Sequence, residues 1–488
     1  MNKDTAFKHS FVLLYHREPY DDTKKSDKTE IKPNGIIPTL KSFFGNRREG
    51  VWICCKESGP SDEADFEEYS LVNDGNYYLK RIPLSPADIS DFYHITSKEG
   101  FWPIIHSFPE RFNSDSINWE VFIGINKKFA QAAVEVASED AVFWIHDYNL
   151  WLVPFYIRIL RPDANIAFYH HTPFPAPEIF NLIPHGDRII KSLLMCDLCC
   201  FNIPQYVENF SATAMANFDV LVEKREMTDS RFSTQGPLGE RFITRQLRFE
   251  DRILHLDAIP EGPDINLIDQ LVSDQRVADN RIRIAEYKKD CKLIFSASRM
   301  DYTKGTIEML MCYDRLLERR KDLHGKIVLC NVSVEPSAGM KCYRETREEI
   351  RRLAFEIDRK YASRNWKPLI LFTSPFSFIE MISWYREAAI MWVTPLRDGM
   401  NLVCKEYVAA KKGQGGILVL SEFAGAAVEL DGAVLTNPYY IDNMDEAIDT
   451  ALSMAPDEEK LRMRKMYKKL TSSDIVRWGN QLKIFEVI

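Results

Sequence analysis

The sequence predicts an α/β protein with parallel sheets divided between two domains, and three observations carry that reading. Short apolar runs alternate with longer stretches of helical periodicity along most of the chain, the pattern of βαβ units. At 488 residues the chain exceeds what one hydrophobic core usually serves. Near its middle, Ala258-Ile259-Pro260-Glu261-Gly262-Pro263-Asp264 breaks both periodicities with two prolines and a glycine, which puts a linker there. The expected division is an N-terminal domain over 1–262, a second over 263–457, and a helical segment over 458–488 that packs back across the first.

In the first half the expected strands are Phe11–Tyr15, Ala141–Ile145, Asn165–His170 and Leu198–Ile203. In the second they are Lys292–Ala297, Lys326–Val334, Leu369–Thr373, Ile390–Thr394, Gly416–Ser421 and Ala433–Thr436. Helices are clearest in the second half, where Ile350, Leu353, Ala354, Ile357 and Tyr361 recur on one face. Charges fill the other face, so the run from Arg344 to Lys360 reads as a solvated helix surface.

Composition removes several classes of function. The chain is 45% hydrophobic and 27% charged, as globular enzymes are. With a net charge of -8, a pI near 5.8 and no dense Lys/Arg stripe, it is not built for nucleic acid or an anionic membrane as main partner. No apolar run reaches the roughly 18 residues of a spanning helix, and Met1 to Lys8 is polar rather than signal-like, so a cytoplasmic location is expected. The ten cysteines include several in apolar runs, such as Cys199-Cys200-Phe201 and Val328-Leu329-Cys330, and read as reduced core thiols. Cys196-x-x-Cys199-Cys200 has no second Cys/His pair at zinc-site spacing. The motifs G-x-G-x-x-G, G-x-x-x-x-G-K-[ST] and G-x-S-x-G do not occur, which weakens dinucleotide oxidoreductase, P-loop and serine hydrolase readings.

Two turns in the second half concentrate chemistry where a strand hands over to a helix, the edge at which open α/β sheets bind ligands. In Ser298-Arg299-Met300-Asp301-Tyr302-Thr303-Lys304-Gly305, the two cations at Arg299 and Lys304 fit either a diphosphate cradle or two exposed charges at a helix start. In Thr394-Pro395-Leu396-Arg397-Asp398-Gly399-Met400-Asn401-Leu402, Gly399 permits close backbone approach and the amides after it are open to an anion. Asp398 is suited to sugar hydroxyls and Glu406 to the paired hydroxyls of a ribose, while Asn401 fits a ligand contact or a helix cap equally.

In the first half, Trp144-Ile145-His146-Asp147-Tyr148 and His170-His171-Thr172-Pro173-Phe174-Pro175 each end an expected strand at its carboxyl edge. His146, Asp147, His170 and His171 lack the i, i+4 spacing of helical zinc motifs, so no metal site is assigned. Arg17 follows the first strand, and Asn34-Gly35 sits in a proline-containing turn; the former fits a phosphate clamp or an exposed arginine.

At these segments the sequence resembles the trehalose-phosphate synthase family of retaining glycosyltransferases over nearly its whole length. HDY at His146, HTPFP at His171, RMDYTKG at Arg299, TPLRDGMNLVCKEY at Thr394 and LSEFAGAAVEL at Leu420 carry the resemblance. It implies a GT-B fold: two Rossmann-like domains facing a cleft, with the nucleotide sugar held mainly by the second. By position, Arg299 and Lys304 would bind the donor diphosphate. Asp398 would take the transferred glucose and Glu406 the ribose. Gly399, Met400, Asn401, Leu402 and Val403 would form the turn around the donor, approached from the other domain by Asn34 and Gly35. His171 would orient the hexose, while Arg17, Tyr93, Trp102 and Asp147 would line the acceptor side. No metal or tightly bound cofactor is implied; a divalent cation is optional for binding, and a homo-oligomer is left open.

The strings LYHREPYD from Leu14, PNGIIPTLKSFF from Pro33 and FYHITSKEGFWPIIHSFPERF from Phe92 are similar to the glucosylglycerol-phosphate synthase branch of that family. The branch implies ADP-glucose as donor and sn-glycerol 3-phosphate as acceptor, in making an osmoprotectant under salt stress. Departures from the trehalose-phosphate pattern fit. The P-x-S-R segment appears as Pro336-Ser337-Ala338-Gly339 and lacks its arginine, and the resemblance, aligned with the family, sets Ser337 where that arginine would grip glucose 6-phosphate. Asn34-Gly35 replaces a two-glycine turn, and Cys55 replaces a tryptophan. Restoring the arginine (Ser337→Arg) is expected to lower the KM for glucose 6-phosphate relative to glycerol 3-phosphate; an unchanged acceptor preference in paired kinetic assays contradicts the correspondence.

Overall fold

Runs such as Val12-Leu13-Leu14 and Ile166-Ala167-Phe168-Tyr169 are buried at every position, as strands are when helices cover both faces of a parallel sheet. A computed structural model of the chain describes residues 8–19, 37, 40, 44, 50–59, 66–72, 77–335, 343–471 and 478. The expected site residues Asn34, Gly35 and Ser337 lie outside them.

The first sheet contains β1 (His9–Leu14), β2 (Gly50–Glu57), β3 (Tyr69–Val72), β4 (Tyr77–Leu84), β5 (Ala137–His146), β6 (Asn165–His170), β7 (Leu198–Phe201), β8 (Val220–Met227), β9 (Phe242–Phe249) and β10 (Arg252–Ala258). Their order is β3-β4-β2-β1-β5-β6-β7-β10-β9-β8. The pairs from β4 through to β10 are parallel, and β3, β9 and β8 add antiparallel edges. Along β1 the side chains alternate as the pleat requires: Val12 and Leu14 enter one apolar cluster, Phe11 and Leu13 the other.

The second sheet contains β11 (Lys292–Arg299), β12 (Ile327–Val334), β13 (Leu369–Phe372), β14 (Ile390–Val393), β15 (Ile417–Ser421) and β16 (Val434–Thr436). It is parallel throughout, in the order β13-β12-β11-β14-β15-β16. That is the doubly wound order of a Rossmann fold. Strand order reverses between β1 and β5 in one sheet and between β11 and β14 in the other. A crevice opens outside the carboxyl ends at each such point.

The strands expected in the second half are all present, within two residues at each end. In the first half β2, β3, β4, β8, β9 and β10 were not expected. Two features hid them. β8 is charged and largely exposed, so it lacks an apolar run. β4 buries Lys80 and Arg81, which are tolerated because Glu68 and Glu18 pair with them at 2.7 and 2.6 Å.

Two local devices position the crevice. Between β4 and the helix Trp119–Val136, a continuous helical segment starts at a Ser85 capping box, widens to a π-helix over Ser90–Phe101, and closes at Trp102–Ile105. The i to i+5 repeat brings Tyr93 and Lys98 onto one side, with Trp102 a further turn along. Glu261, in the connection between the sheets, is only 5% exposed, and the buried Lys405 of the second unit donates to its carbonyl oxygen at 2.7 Å. In the C-terminal segment, Trp478 packs on Trp144 and Tyr169 of the first sheet, with ring centres 4.8 and 5.1 Å apart.

Main chain also meets main chain across the crevice. A Cβ on Gly399 would lie 2.3 Å from the His171 carbonyl oxygen and 3.0 Å from Thr172 backbone atoms, and backbone cannot rotate away as a side chain can. Gly399→Ala is expected to cost about 1–3 kcal/mol through overpacking, read as a lowered Tm with loss of transferase turnover. Wild-type Tm and turnover would show that this contact does not set the spacing of the walls.

Candidate active site

From the second sheet, β11 ends in Arg299 and β14 leads into the turn that carries Asp398. Lys304 Nζ donates to Asp398 Oδ2 at 2.8 Å, and Asn401 Nδ2 donates to the same oxygen at 3.0 Å. Burial works to raise the Asp398 carboxyl, but the Lys304 charge and these two hydrogen bonds outweigh it and hold the group below the usual carboxylate range. Asn401 is also a cap: its Oδ1 accepts from Cys404 N at 3.0 Å at the start of the helix Leu402–Ala410. That leaves Leu402 and Val403 in the first turn, where amides have no carbonyl partner within the helix. The cap reading of Asn401 is thus observed, and its amide is turned toward Asp398.

Arg299 donates to Asp301 Oδ2 at 3.3 Å and keeps its side chain 41% exposed to the crevice. Asp301 is itself fixed, its Oδ1 accepting from the amide and hydroxyl of Thr303, both at 3.0 Å. Burial opposes the Arg299 charge, but the Asp301 carboxylate more than restores it. Gly305 is left-handed at φ 64, and a Cβ there would lie 1.9 Å from the Thr394 carbonyl oxygen, so the two turns are pressed together through glycine. Glu406 is buried; desolvation pushes its carboxyl up to about 8, and the Tyr385 hydroxyl donates to it at 2.8 Å.

From the first sheet come Arg17 after β1, Asp147 after β5 and His171 after β6. Arg17 donates to the Tyr93 hydroxyl and lies over the Tyr93 ring, 4.9 Å from its centre. Its carbonyl oxygen is held by Trp52 Nε1 at 3.1 Å, and the Cys55 thiol donates to the adjacent His16 carbonyl oxygen at 2.8 Å. Burial pushes that thiol up to about 12, so Cys55 stays protonated. Trp102 is buried and sits beneath Arg299, 5.7 Å from ring centre to Cζ, which joins the two walls.

Asp147 has φ 71 and ψ 163, a region that glycine favours and that costs other residues about 1–3 kcal/mol. Its amide donates to the Tyr169 carbonyl oxygen at 2.9 Å, its carbonyl accepts from Leu150 at 3.0 Å, and its buried Oδ1 has no partner in the protein. Asn401, at φ 85, is the corresponding strained polar residue on the opposite wall.

His171 turns both ring nitrogens toward protein: Nε2 lies 3.0 Å from His146 Nδ1, and Nδ1 lies 3.5 Å from Glu261 Oε2. Burial, then the neighbouring His171, hold His146 well below the usual histidine range, so it is neutral. Nε2 is thus engaged by His146, while Nδ1 makes no hydrogen bond among the described residues. Its carbonyl accepts from Asn202 Nδ2 at 2.8 Å. The Tyr206 hydroxyl donates across the crevice to the Asp398 carbonyl oxygen at 3.1 Å.

Lys98, Glu261, Asp301, Tyr148 and Tyr206 escaped the sequence reading. Of these, Asp301 and Tyr148 lay inside motifs already singled out, and Lys98 sat between Tyr93 and Trp102. Glu261 was hidden in what reads as a linker. Among the described residues no group of three or more His, Cys, Asp or Glu is placed to hold a metal, and no helix is long and apolar enough to cross a membrane.

Two Rossmann-like sheets that face each other across a crevice, with cations on one wall and an aromatic, polar wall opposite, define a GT-B glycosyltransferase. The chain belongs to glycosyltransferase family 20, whose model matches residues 7–484. It is 49% identical over 483 residues to a glucosylglycerol-phosphate synthase of Synechocystis sp., covering 97% of this chain and 96% of that one. It is 46% identical to a glucosylglycerol-phosphate synthase of Picosynechococcus sp., covering 97% and 96%. The solved structure of an alpha,alpha-trehalose-phosphate synthase (UDP-forming) from Burkholderia xenovorans in complex with glucose-6-phosphate superposes with a TM-score of 0.84 at 26% identity, covering 98% of this chain and 99% of that one.

Removing the Lys304 ammonium (Lys304→Ala) is expected to cut kcat by on the order of a hundredfold or more, the usual scale for losing one group that stabilises developing charge. Steady-state and single-turnover rates check this, and near-normal turnover would remove Lys304 from the chemistry.

Proposed function

We propose that this glycosyltransferase moves glucose from ADP-glucose to sn-glycerol 3-phosphate with retention, giving glucosylglycerol phosphate for compatible-solute synthesis in the cytoplasm. The observation that carries the reading is the near-full-length identity, 49% and 46%, to two proteins named for that synthase activity. The acceptor wall agrees with it: Arg17, Tyr93 and Trp102 offer one cation and two aromatic faces, suited to a short polyol phosphate. The chain organisation used is 1–262 on the acceptor side, 263–457 on the donor side and 458–488 returning to the first.

In the proposed reaction the bond between glucose C1 and the terminal diphosphate oxygen breaks as the acceptor hydroxyl oxygen bonds to C1 on the same face. The hydroxyl proton passes to the departing phosphate oxygen, and no carboxylate forms a covalent intermediate. Arg299 and Lys304 offset the negative charge that grows on the leaving diphosphate. Asp398 and the turn from Gly399 to Val403 hold the glucose and diphosphate, and Glu406 takes the ribose hydroxyls. The ribose is a hydrogen-bond donor that favours the ionised Glu406. Asp147 and His171 position the reacting hydroxyl and hexose, and closure of the crevice keeps water from the donor. No tightly bound cofactor takes part, and the mechanism requires no divalent cation.

A second reading, trehalose-6-phosphate synthesis from glucose 6-phosphate, is favoured by the Burkholderia structure and disfavoured by Ser337. A matrix of ADP-glucose and UDP-glucose against glycerol 3-phosphate and glucose 6-phosphate separates them by nucleoside diphosphate release and NMR of the product. The expected outcome is the highest kcat/KM for ADP-glucose with glycerol 3-phosphate, and an anomeric configuration matching the donor. Trehalose 6-phosphate as the dominant product would overturn the proposal.

A further inference from the structure

Four described lysines are buried: Lys80, Lys98, Lys405 and Lys411. Three have partners for their ammonium groups. Lys80 pairs with Glu68 at 2.7 Å, Lys405 with Glu429 and the Glu261 carbonyl, and Lys411 donates to the Arg386 carbonyl oxygen at 3.0 Å. Lys98 differs. It is 5% exposed, yet among the described residues no carboxylate, carbonyl or hydroxyl takes any of its three N–H donors. Its Nζ sits over Trp102, 3.5 Å from the ring centre, and faces Tyr93 and Tyr148 at 5.6 and 5.7 Å.

Aromatic faces attract a cation but accept no hydrogen bond of ordinary strength, so the N–H donors of an ammonium held by rings stay available to a ligand. The surroundings lack partners in the same way. Trp102 Nε1, Tyr148 Oη and Asp147 Oδ1 are buried polar atoms with no hydrogen-bond partner among the described residues. Arg17 shares the Tyr93 ring with Lys98, and Arg299 shares Trp102 with it. Three cations therefore bracket two rings, against the carboxylates of Asp147 and Asp301, and the latter is already engaged by Arg299 and Thr303.

We propose that Lys98 is an acceptor-binding residue whose amine receives the phosphate of the phosphorylated acceptor, together with Arg17. A dianion between Lys98 and Arg17 supplies the acceptors that the ammonium lacks, and the polyol chain lies against Tyr93 and Trp102 within reach of the free atoms of Tyr148 and Asp147. Burial, then the Arg299 charge, hold the amine well below the usual lysine range, and an arriving phosphate reverses that bias. The inference rests on a phosphorylated acceptor, as in the proposed function.

The test compares wild type with Lys98→Met, which keeps the chain length and removes the amine, and with Lys98→Arg, which keeps the charge. Loss of a charge-assisted contact predicts a rise of about thirtyfold or more in the KM for sn-glycerol 3-phosphate in Lys98→Met. Competitive inhibition by inorganic phosphate weakens by a similar factor, the preference for glycerol 3-phosphate over glycerol falls with it, and the KM for ADP-glucose stays within twofold. Lys98→Arg recovers most of the loss. In wild-type protein, glycerol 3-phosphate but not glycerol protects Lys98 from acylation followed by mass spectrometry, a readout independent of how the variants fold. Unchanged acceptor KM and phosphate inhibition, a donor KM that rises as much as the acceptor KM, or no protection overturns the inference. If glucose 6-phosphate proves to be the acceptor, the proposed function fails while the inference stands, provided that the Lys98→Met defect follows the phosphate to that substrate.

Discussion

The arrangement depends on how closely the two sheets approach at their switch points, and that distance is set by backbone packed on backbone. Gly399 admits the His171 and Thr172 main chain into the space a side chain would fill. Gly425 repeats the device one layer back, where a Cβ would lie 2.1 Å from the Gly399 carbonyl oxygen. The crevice walls are thus separated by contacts that cannot repack, and the polar groups at the strand ends inherit that precision. Tyr206 and Lys405 add hydrogen bonds from one unit to main-chain oxygens of the other, which tie the loops rather than the sheets.

Within this frame the electrostatics divide. On the donor wall each cation has a carboxylate, Lys304 with Asp398 and Arg299 with Asp301. In the proposed reaction a diphosphate competes with partners already in place and meets cations that are held rather than free to move. On the acceptor wall Arg17 and Lys98 rest on aromatic rings, so an incoming anion displaces no carboxylate from Lys98. Strain is stored on both sides, in Asp147 and Asn401, whose positive φ angles turn their side chains away from the regular strand-to-helix path. Such backbone persists only where its neighbours over-determine it, and the hydrogen bonds of both residues do so.

The juxtaposition of the residues proposed for the donor wall was legible in the sequence because it is local. Arg299, Lys304, Asp398, Asn401 and Glu406 fall in two short segments after apolar strands, and a parallel sheet places such segments side by side whatever else the chain does. The strands of the second half were found for the same reason: they are short apolar runs with helices between. The first sheet was harder, since β4 carries buried charges and β8 to β10 form a charged antiparallel edge. Lys98 was missed because a lysine in a helical pattern reads as solvated; only the π-helical repeat and the packing of Trp102 and Tyr148 show that it is not. Glu261 was missed because proline and glycine mark a linker, while the burial of that linker is a tertiary fact. His146 and His171 were seen as separate strand ends, and nothing in their spacing announced that the rings would stack, 5.2 Å apart.

The central claim is that Arg299 and Lys304 recognise the diphosphate that leaves. Calorimetric titration of ADP and of AMP into wild type and an Arg299→Met/Lys304→Met variant tests it without reference to turnover. The account predicts that wild type prefers ADP over AMP by on the order of a hundredfold, the scale of two charge-assisted contacts to the added phosphate, and that the double variant binds the two nucleotides within a few-fold of each other. A double variant that keeps the full preference for ADP would contradict it.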